Sequence, residues 1–100
     1  MSGVFKALAD PTRRRVLQLL KDGPMSAGDL ADPFAVSKAT MSAHFAVLRE
    51  AGLIAAEKQG KSVIYALRIS VLEDALLGFA DGLGLGLIRA TDTQAQAGET

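Results

Sequence analysis

The residues best placed to do chemistry lie in one stretch, Ser37–Ile54, SKATMSAHFAVLREAGLI. Thr40 and Ser42 carry hydroxyls that donate or accept, His44 carries the chain's only imidazole, and Lys38 and Arg49 carry positive charge. Between them stand Ala39, Ala43 and Ala46. At about 100° per residue, Met41, Phe45 and Leu48 share one helix face, and Ala39, Ser42, Ala43 and Ala46 point away from it. A solvated helix face is usually filled with Glu, Lys and Gln. This one is short, polar and nearly uncharged, which suits a surface that another molecule approaches closely. The major groove of B-DNA, about 12 Å wide, admits such a helix. Hydroxyls would meet base edges, alanines would meet thymine methyls, and the flanking cations would reach phosphates.

His44 lies at the boundary of the buried face, and two roles stay open for it. It could donate to a base or phosphate, or sit half-buried and bonded to backbone. As a metal ligand it has no histidine or cysteine partner in the chain. A second polar cluster, Lys58, Gln59, Lys61 and Ser62, surrounds Gly60 in IAAEKQGKSVIYALRI. That segment reads as a β-hairpin with Gly60 at positive φ, a tip able to cross the neighbouring backbone or minor groove. Gln-Gly is a poorer two-residue turn than Asn-Gly, so a longer loop is expected. Val63, Tyr65, Leu67 and Ile69 alternate toward the core. Arg13, Arg14 and Arg15 fan over too wide an arc to serve one surface. Ion pairing with Asp10, Glu73 or Asp74 is the reading for them, with phosphate binding the alternative.

These groups must be held by the elements around them. Asp10-Pro11 starts a helix with Val16, Leu17, Leu19 and Leu20 as its buried stripe, and Asp22-Gly23-Pro24 stops it. Ser26 opens a brief helix anchored by Leu30, and Pro33 ends it near Asp32. Phe34-Ala35-Val36 form a turn whose apolar side chains should tuck inward. Ser37 caps the next helix, Gly52 ends it in a left-handed conformation, and Leu53 folds back onto the core. A last helix capped by Ser70 carries Leu72, Leu76, Phe79 and Leu83 on one side. That stripe, with Val4, Phe5 and Leu8 of a short first helix, reads as a seam between two copies rather than ordinary core. Four glycines in GFADGLGLGLI predict termination between Gly82 and Ile88. The fold class is mostly α with a small β-hairpin, a winged helix-turn-helix in the order α-α-α-α-β-β-α. Residues 1–90 form one DNA-binding and dimerisation domain, and 91–100 a disordered tail.

Bulk properties bound the rest. The 100 residues are 49% apolar and contain no cysteine, which removes disulfides, thiolate ligands and thiol switches. No signal peptide and no apolar run of about 20 residues is present, so a cytoplasmic protein without membrane contact is expected. The formal net charge is zero, but residues 1–69 hold ten Lys/Arg against six Asp/Glu, while 70–100 hold one against five. The asymmetry suggests a basic working face. One histidine, no cysteine and no phosphate-cradling glycine loop leave no catalytic constellation, and no enzyme activity or cofactor is expected.

Four motifs in order, VFKALADPTRRRVLQLL, MSAGDLA, SKATMSAHFAVLREAGLI and EKQGKSVIYAL, make the chain resemble the ArsR/SmtB winged-helix repressors over residues 3–83. It looks most similar to their SdpR-like autorepressor branch. The resemblance implies a homodimer that binds palindromic operator DNA. It maps the DNA-reading helix onto Ser37–Ala51, the wing onto Lys58–Ser62, and the dimer surface onto the first and last helices. Many members release DNA on binding metal through cysteines or Asp/His sets. Those ligand sets are missing here, so no metal site is expected and the inducer is undefined. The competing reading keeps the fold without DNA, as a protein–protein adaptor.

Overall fold

The structure, a computed structural model, describes residues 2–87; the tail expected at 91–100 lies outside them. The chain divides into two units, 1–69 and 70–100. The first contains α1 (Ser2–Leu8), α2 (Pro11–Leu20), β1 (Met25–Ser26), α3 (Ala27–Ala31), α4 (Lys38–Glu50), β2 (Ile54–Gln59) and β3 (Ser62–Leu67). The second is built on α5 (Ile69–Gly82), whose first residue falls at the division.

Capping chemistry sets the helix boundaries in the first unit. The Asp10 carboxylate accepts from Thr12 N at 2.8 Å and Arg13 N at 3.2 Å, with Pro11 filling the first helical position where no N–H is needed. Ser26 Oγ accepts from Asp29 N, and Ser37 Oγ from Thr40 N, each at 3.1 Å. Asp32 closes α3 immediately before Pro33. α4 ends in a Schellman motif: Gly52 has φ +78°, its N–H donates to Arg49 O, and Leu53 N donates back to Leu48 O. Leu48 and Leu53, which that motif brings together, are both fully buried.

The core of this unit gathers Val16, Leu17 and Leu20 from α2, Leu30 from α3, and Met41, Phe45 and Leu48 from α4. Leu53, Ile54 and Tyr65 complete it. Each such large apolar side chain contributes about 1.5–3 kcal/mol on burial. The Phe45 and Tyr65 rings meet at 4.9 Å between centroids with their planes 42° apart, which sets the hairpin against the inner face of α4.

The sheet holds one strand more than the hairpin expected. β1 joins the far side of β3, giving three antiparallel strands in the order β1-β3-β2, with Met25 opposite Tyr65 and Ser26 opposite Ile64. Two residues show no alternation, so the strand has no periodic signature. The hairpin loop is shorter than expected. Gln59 pairs with Ser62, leaving only Gly60-Lys61 between them, and Gly60 alone has positive φ, +62°. Glycine first with an ordinary second residue is the type II′ arrangement, so the relevant dipeptide is Gly-Lys rather than Gln-Gly.

Three apolar side chains lie elsewhere than expected. Val36 is exposed, on the outside of the turn it was to tuck into. Ile69 is exposed and opens α5, so the inward alternation of β3 ends at Leu67 and the helix begins one residue before Ser70. Val4 is buried.

In the second unit, α5 terminates as the glycines require. Gly84, at φ +76°, donates to Asp81 O, and Leu85 N donates to Ala80 O. Ala75 and Ala80 are buried, whereas Leu76, Phe79 and Leu83 are exposed and Leu72 half-buried. Among the described residues no helix is long and apolar enough to cross a membrane.

Candidate nucleic-acid interface

α4 separates its two faces as the sequence pattern requires. Met41, Phe45 and Leu48 are buried, and Lys38, Ala39, Thr40, Ser42, Ala43, Ala46 and Arg49 are all exposed. The exposed surface is low because alanine and serine dominate it. At the start of the helix, Ser37 Oγ donates to Thr40 Oγ1 at 3.0 Å while accepting from Thr40 N. The cap hydroxyl is therefore committed locally, and the Thr40 hydroxyl keeps its own hydrogen to donate outward. The helix N-terminus also presents amides and a partial positive charge, both favourable to a phosphate.

The wing displays Lys58, Gln59, Lys61 and Ser62 in the open. Lys58 stands on β2 opposite Val63, and Lys61 sits in the turn itself. Gln59 Nε2 donates to Glu57 Oε1 at 2.9 Å, which occupies part of its donor capacity and places one anion close to the cations. Glu57 was not singled out in the sequence; its place beside Lys58 at the expected hairpin tip was the available signal. A cleft of about 560 Å³ opens beside α4, with Phe45 and Tyr65 at its base and Lys38 and Ser42 at its rim.

The three consecutive arginines bond to groups near them in the fold. Arg13 Nε donates to Ala7 O at 2.8 Å and its NH2 to Lys6 O at 2.9 Å. Arg14 NH1 donates to Leu8 O at 2.7 Å, and Arg15 NH1 to Gln18 Oε1 at 3.2 Å. The first two guanidinium groups thus bond to carbonyls of the last turn of α1, of which Lys6 O also accepts from Ala9 N. The remaining Arg13 nitrogen, NH1, lies 3.2 Å from His44 Nδ1. His44 is half-buried, as its boundary position implies, but its partner is a side chain rather than backbone.

Asp10 sits beside this cluster. Partial burial pushes its carboxyl up, but the backbone N–H groups of Arg13 and Thr12, then the charges of His44 and Arg13, outweigh that and hold it below the ordinary carboxylate value. Of the residues expected at a pairing surface, Phe5, Leu76, Phe79 and Leu83 are exposed, Leu8 and Leu72 are half-buried, and Val4 is interior.

Comparison with known proteins agrees with this geometry. A family model described as a helix-turn-helix domain matches residues 8–56, which span α2 through the start of β2. The transcriptional repressor SdpR of Bacillus subtilis strain 168 is 45% identical over 76 residues, covering 76% of this chain and 84% of that protein. The transcriptional regulator NmtR of Mycobacterium tuberculosis is 31% identical, covering 87% of this chain and 75% of its own length. The crystal structure of an ArsR family transcriptional regulator superposes with a TM-score of 0.77 at 34% identity, over 88% of this chain and 97% of that one. An ArsR-like transcriptional regulator from Rhodococcus sp. RHA1 gives a TM-score of 0.72 at 27% identity, over 96% of this chain and 86% of that one.

A helix with a trimmed outer face, preceded by a short helix and followed by a basic-tipped hairpin, is the working part of a winged helix-turn-helix DNA-binding transcription regulator. The solved structures share this architecture, and they and the sequence relatives carry a regulator's name. The chain belongs to the ArsR family of transcriptional repressors and, within it, resembles SdpR.

Proposed function

We propose that two copies of the chain pair and bind an inverted-repeat operator, including one in the promoter of their own gene. In this reading α4 of each copy enters the major groove in successive turns of the duplex, and each wing grips the flanking backbone. The supporting observation is the division of α4. Ala39, Thr40, Ser42 and Ala43 are exposed on a helix anchored from behind by Met41, Phe45 and Leu48. Thr40 and Ser42 face base edges, Ala39 and Ala43 allow close approach, and Lys38, Arg49, Lys58 and Lys61 neutralise phosphates.

Pairing is proposed through Leu76, Phe79 and Leu83 of α5 together with Phe5 and Leu8 of α1. The α5 residues recur at helical spacing and leave apolar surface in the open, with Phe79 55% and Leu83 60% exposed. Such a face suits a second copy with the same face. Derepression is proposed to proceed without a thiolate metal site or thiol oxidation, since the sequence offers no cysteine and one histidine.

The test is footprinting and gel-shift titration on the gene's own promoter at low and moderate salt. Protection of an inverted repeat with half-sites about one duplex turn apart is expected. Ser42→Glu and Ala43→Glu should abolish binding with the fold and pairing intact. No protection at any salt, or a stable protein partner bound without salt dependence, would favour the adaptor reading instead. Metal analysis of the purified protein should find no stoichiometric transition metal.

A further inference from the structure

We propose that Arg13 is a positioning residue for DNA recognition. It holds His44 as the neutral tautomer protonated on Nε2, so that α4 offers an outward N–H to an acceptor on the duplex. The inference rests on the DNA-binding reading above and assigns a role to His44, which that reading leaves without one.

The argument begins with what each partner can do. A guanidinium has five N–H donors, no lone pair, and does not deprotonate in proteins. Its contact with His44 Nδ1 at 3.2 Å is a hydrogen bond only if Nδ1 is bare. A neutral imidazole with a bare Nδ1 carries its proton on Nε2. An imidazolium, or the other tautomer, would turn an N–H toward the guanidinium and lose the bond.

The guanidinium is not free to turn away. Its Nε and NH2 are held by Ala7 O and Lys6 O at the carboxyl end of α1, where the helix dipole favours a cation. Asp10, at the start of the same helix as Arg13, is a nearby negative charge that favours cationic neighbours, so the bare Nδ1 is set by the Arg13 bond against that pull and not by Asp10. The acceptor demand on Nδ1 is thus imposed by a fixed donor, as a second group fixes the tautomer of a catalytic or metal-binding histidine.

The other nitrogen is available. Among the described residues no group bonds Nε2, and no polar side-chain atom is sealed from solvent without a partner, so Nε2 of this half-buried ring reaches solvent. His44 follows Ala43 on α4 and lies one turn beyond Thr40, both exposed. A neutral N–H at this edge of the reading face suits a phosphate oxygen or a guanine N7 or O6, which are all acceptors.

Two near-isosteric replacements separate the two nitrogens. Asparagine places an acceptor near Nδ1 and nothing at Nε2; glutamine reaches the Nε2 position and gives up the inner acceptor. His44→Asn should keep the wild-type melting temperature and bind operator about tenfold more weakly, the effect of one hydrogen bond to a charged or strongly polar acceptor. His44→Gln should melt lower and retain more operator affinity than His44→Asn. Uniform loss across sequences would assign the acceptor to phosphate and loss confined to one base pair would assign it to a base edge, either supporting the proposal. Nitrogen-15 imidazole spectra of the DNA-free protein should show Nδ1 bare and Nε2 protonated, with the preference relaxed in Arg13→Lys. A proton on Nδ1 in the wild type would overturn the assignment, as would His44→Asn binding operator as tightly as wild type. Wild-type protein that binds no duplex would overturn the role on DNA, while the spectrum tests the Arg13–His44 pairing separately.

Discussion

Removing the two lysines of the wing, as Lys58→Ala with Lys61→Ala, tests how the DNA complex is held. Both side chains are exposed, Lys58 on β2 and Lys61 within the two-residue turn, and neither is buried in the core. Surface substitutions of this kind change stability by no more than about 0.5 kcal/mol, so the variant should melt like the wild type. On DNA the effect is large. Each phosphate neutralised contributes about 0.9 to the slope of log affinity against log salt. A dimer that loses two cations from each wing should lose about 3.6 from that slope. Between 50 and 200 mM salt the wild-type affinity should then fall about 150-fold more than that of the variant. The assay is fluorescence anisotropy with a labelled operator duplex at four or more salt concentrations, fitted for slope. A variant with wild-type slope and affinity would show that the wing does not touch the backbone and would refute this placement. A loss of only half that slope would mean that one of the two lysines points away from the duplex.

Other perturbations probe the scaffold and the pairing surface. Leu48→Ala removes a fully buried side chain at the Schellman turn of α4 and should cost about 2–5 kcal/mol in denaturant titration, enough to unfold much of a marginal domain. Gly60→Ala meets no neighbour but forces a side chain into φ +62°, and should cost about 1 kcal/mol in the same titration. Leu76→Glu with Phe79→Glu should shift the protein to monomer in sedimentation and abolish high-affinity operator binding together. The Asp10 carboxyl is depressed in the folded state, so its contribution is present above the unfolded carboxylate pKa, about 3.9, and is lost as pH falls through the folded value. Asp10→Asn should therefore melt below wild type at neutral pH, with the gap closing in an acid series.

What the sequence disclosed, and what it hid, follows from the range of each signal. Asp10-Pro11, Ser37 and Gly52 act on backbone groups within a few residues, so the boundaries they set for α2 and α4 were legible. The division of α4 was legible because helix geometry alone places Met41, Phe45 and Leu48 together. β1 was not, because its two residues are a strand only by virtue of pairing with Tyr65 and Ile64, far along the chain. The hydrogen bonds of Arg13 were not legible, for a related reason. Its partners are carbonyls six and seven residues earlier and an imidazole thirty-one residues later, and only the folded chain assembles them. Val36 and Ile69 show a different limit: apolar character predicts a tendency to be covered, but the backbone path decides which residues a small core can reach.

The short third strand also bears on how the protein behaves when many copies crowd on one piece of DNA. An open sheet offers two rims of unpaired amides and carbonyls, and either can recruit a stranger's strand. Here one rim belongs to β1, only two residues long, and the other to β2, which bears Glu57 and Lys58. A foreign strand finds too little length on the first and fixed charges on the second. Association by β-addition is thereby discouraged at both rims.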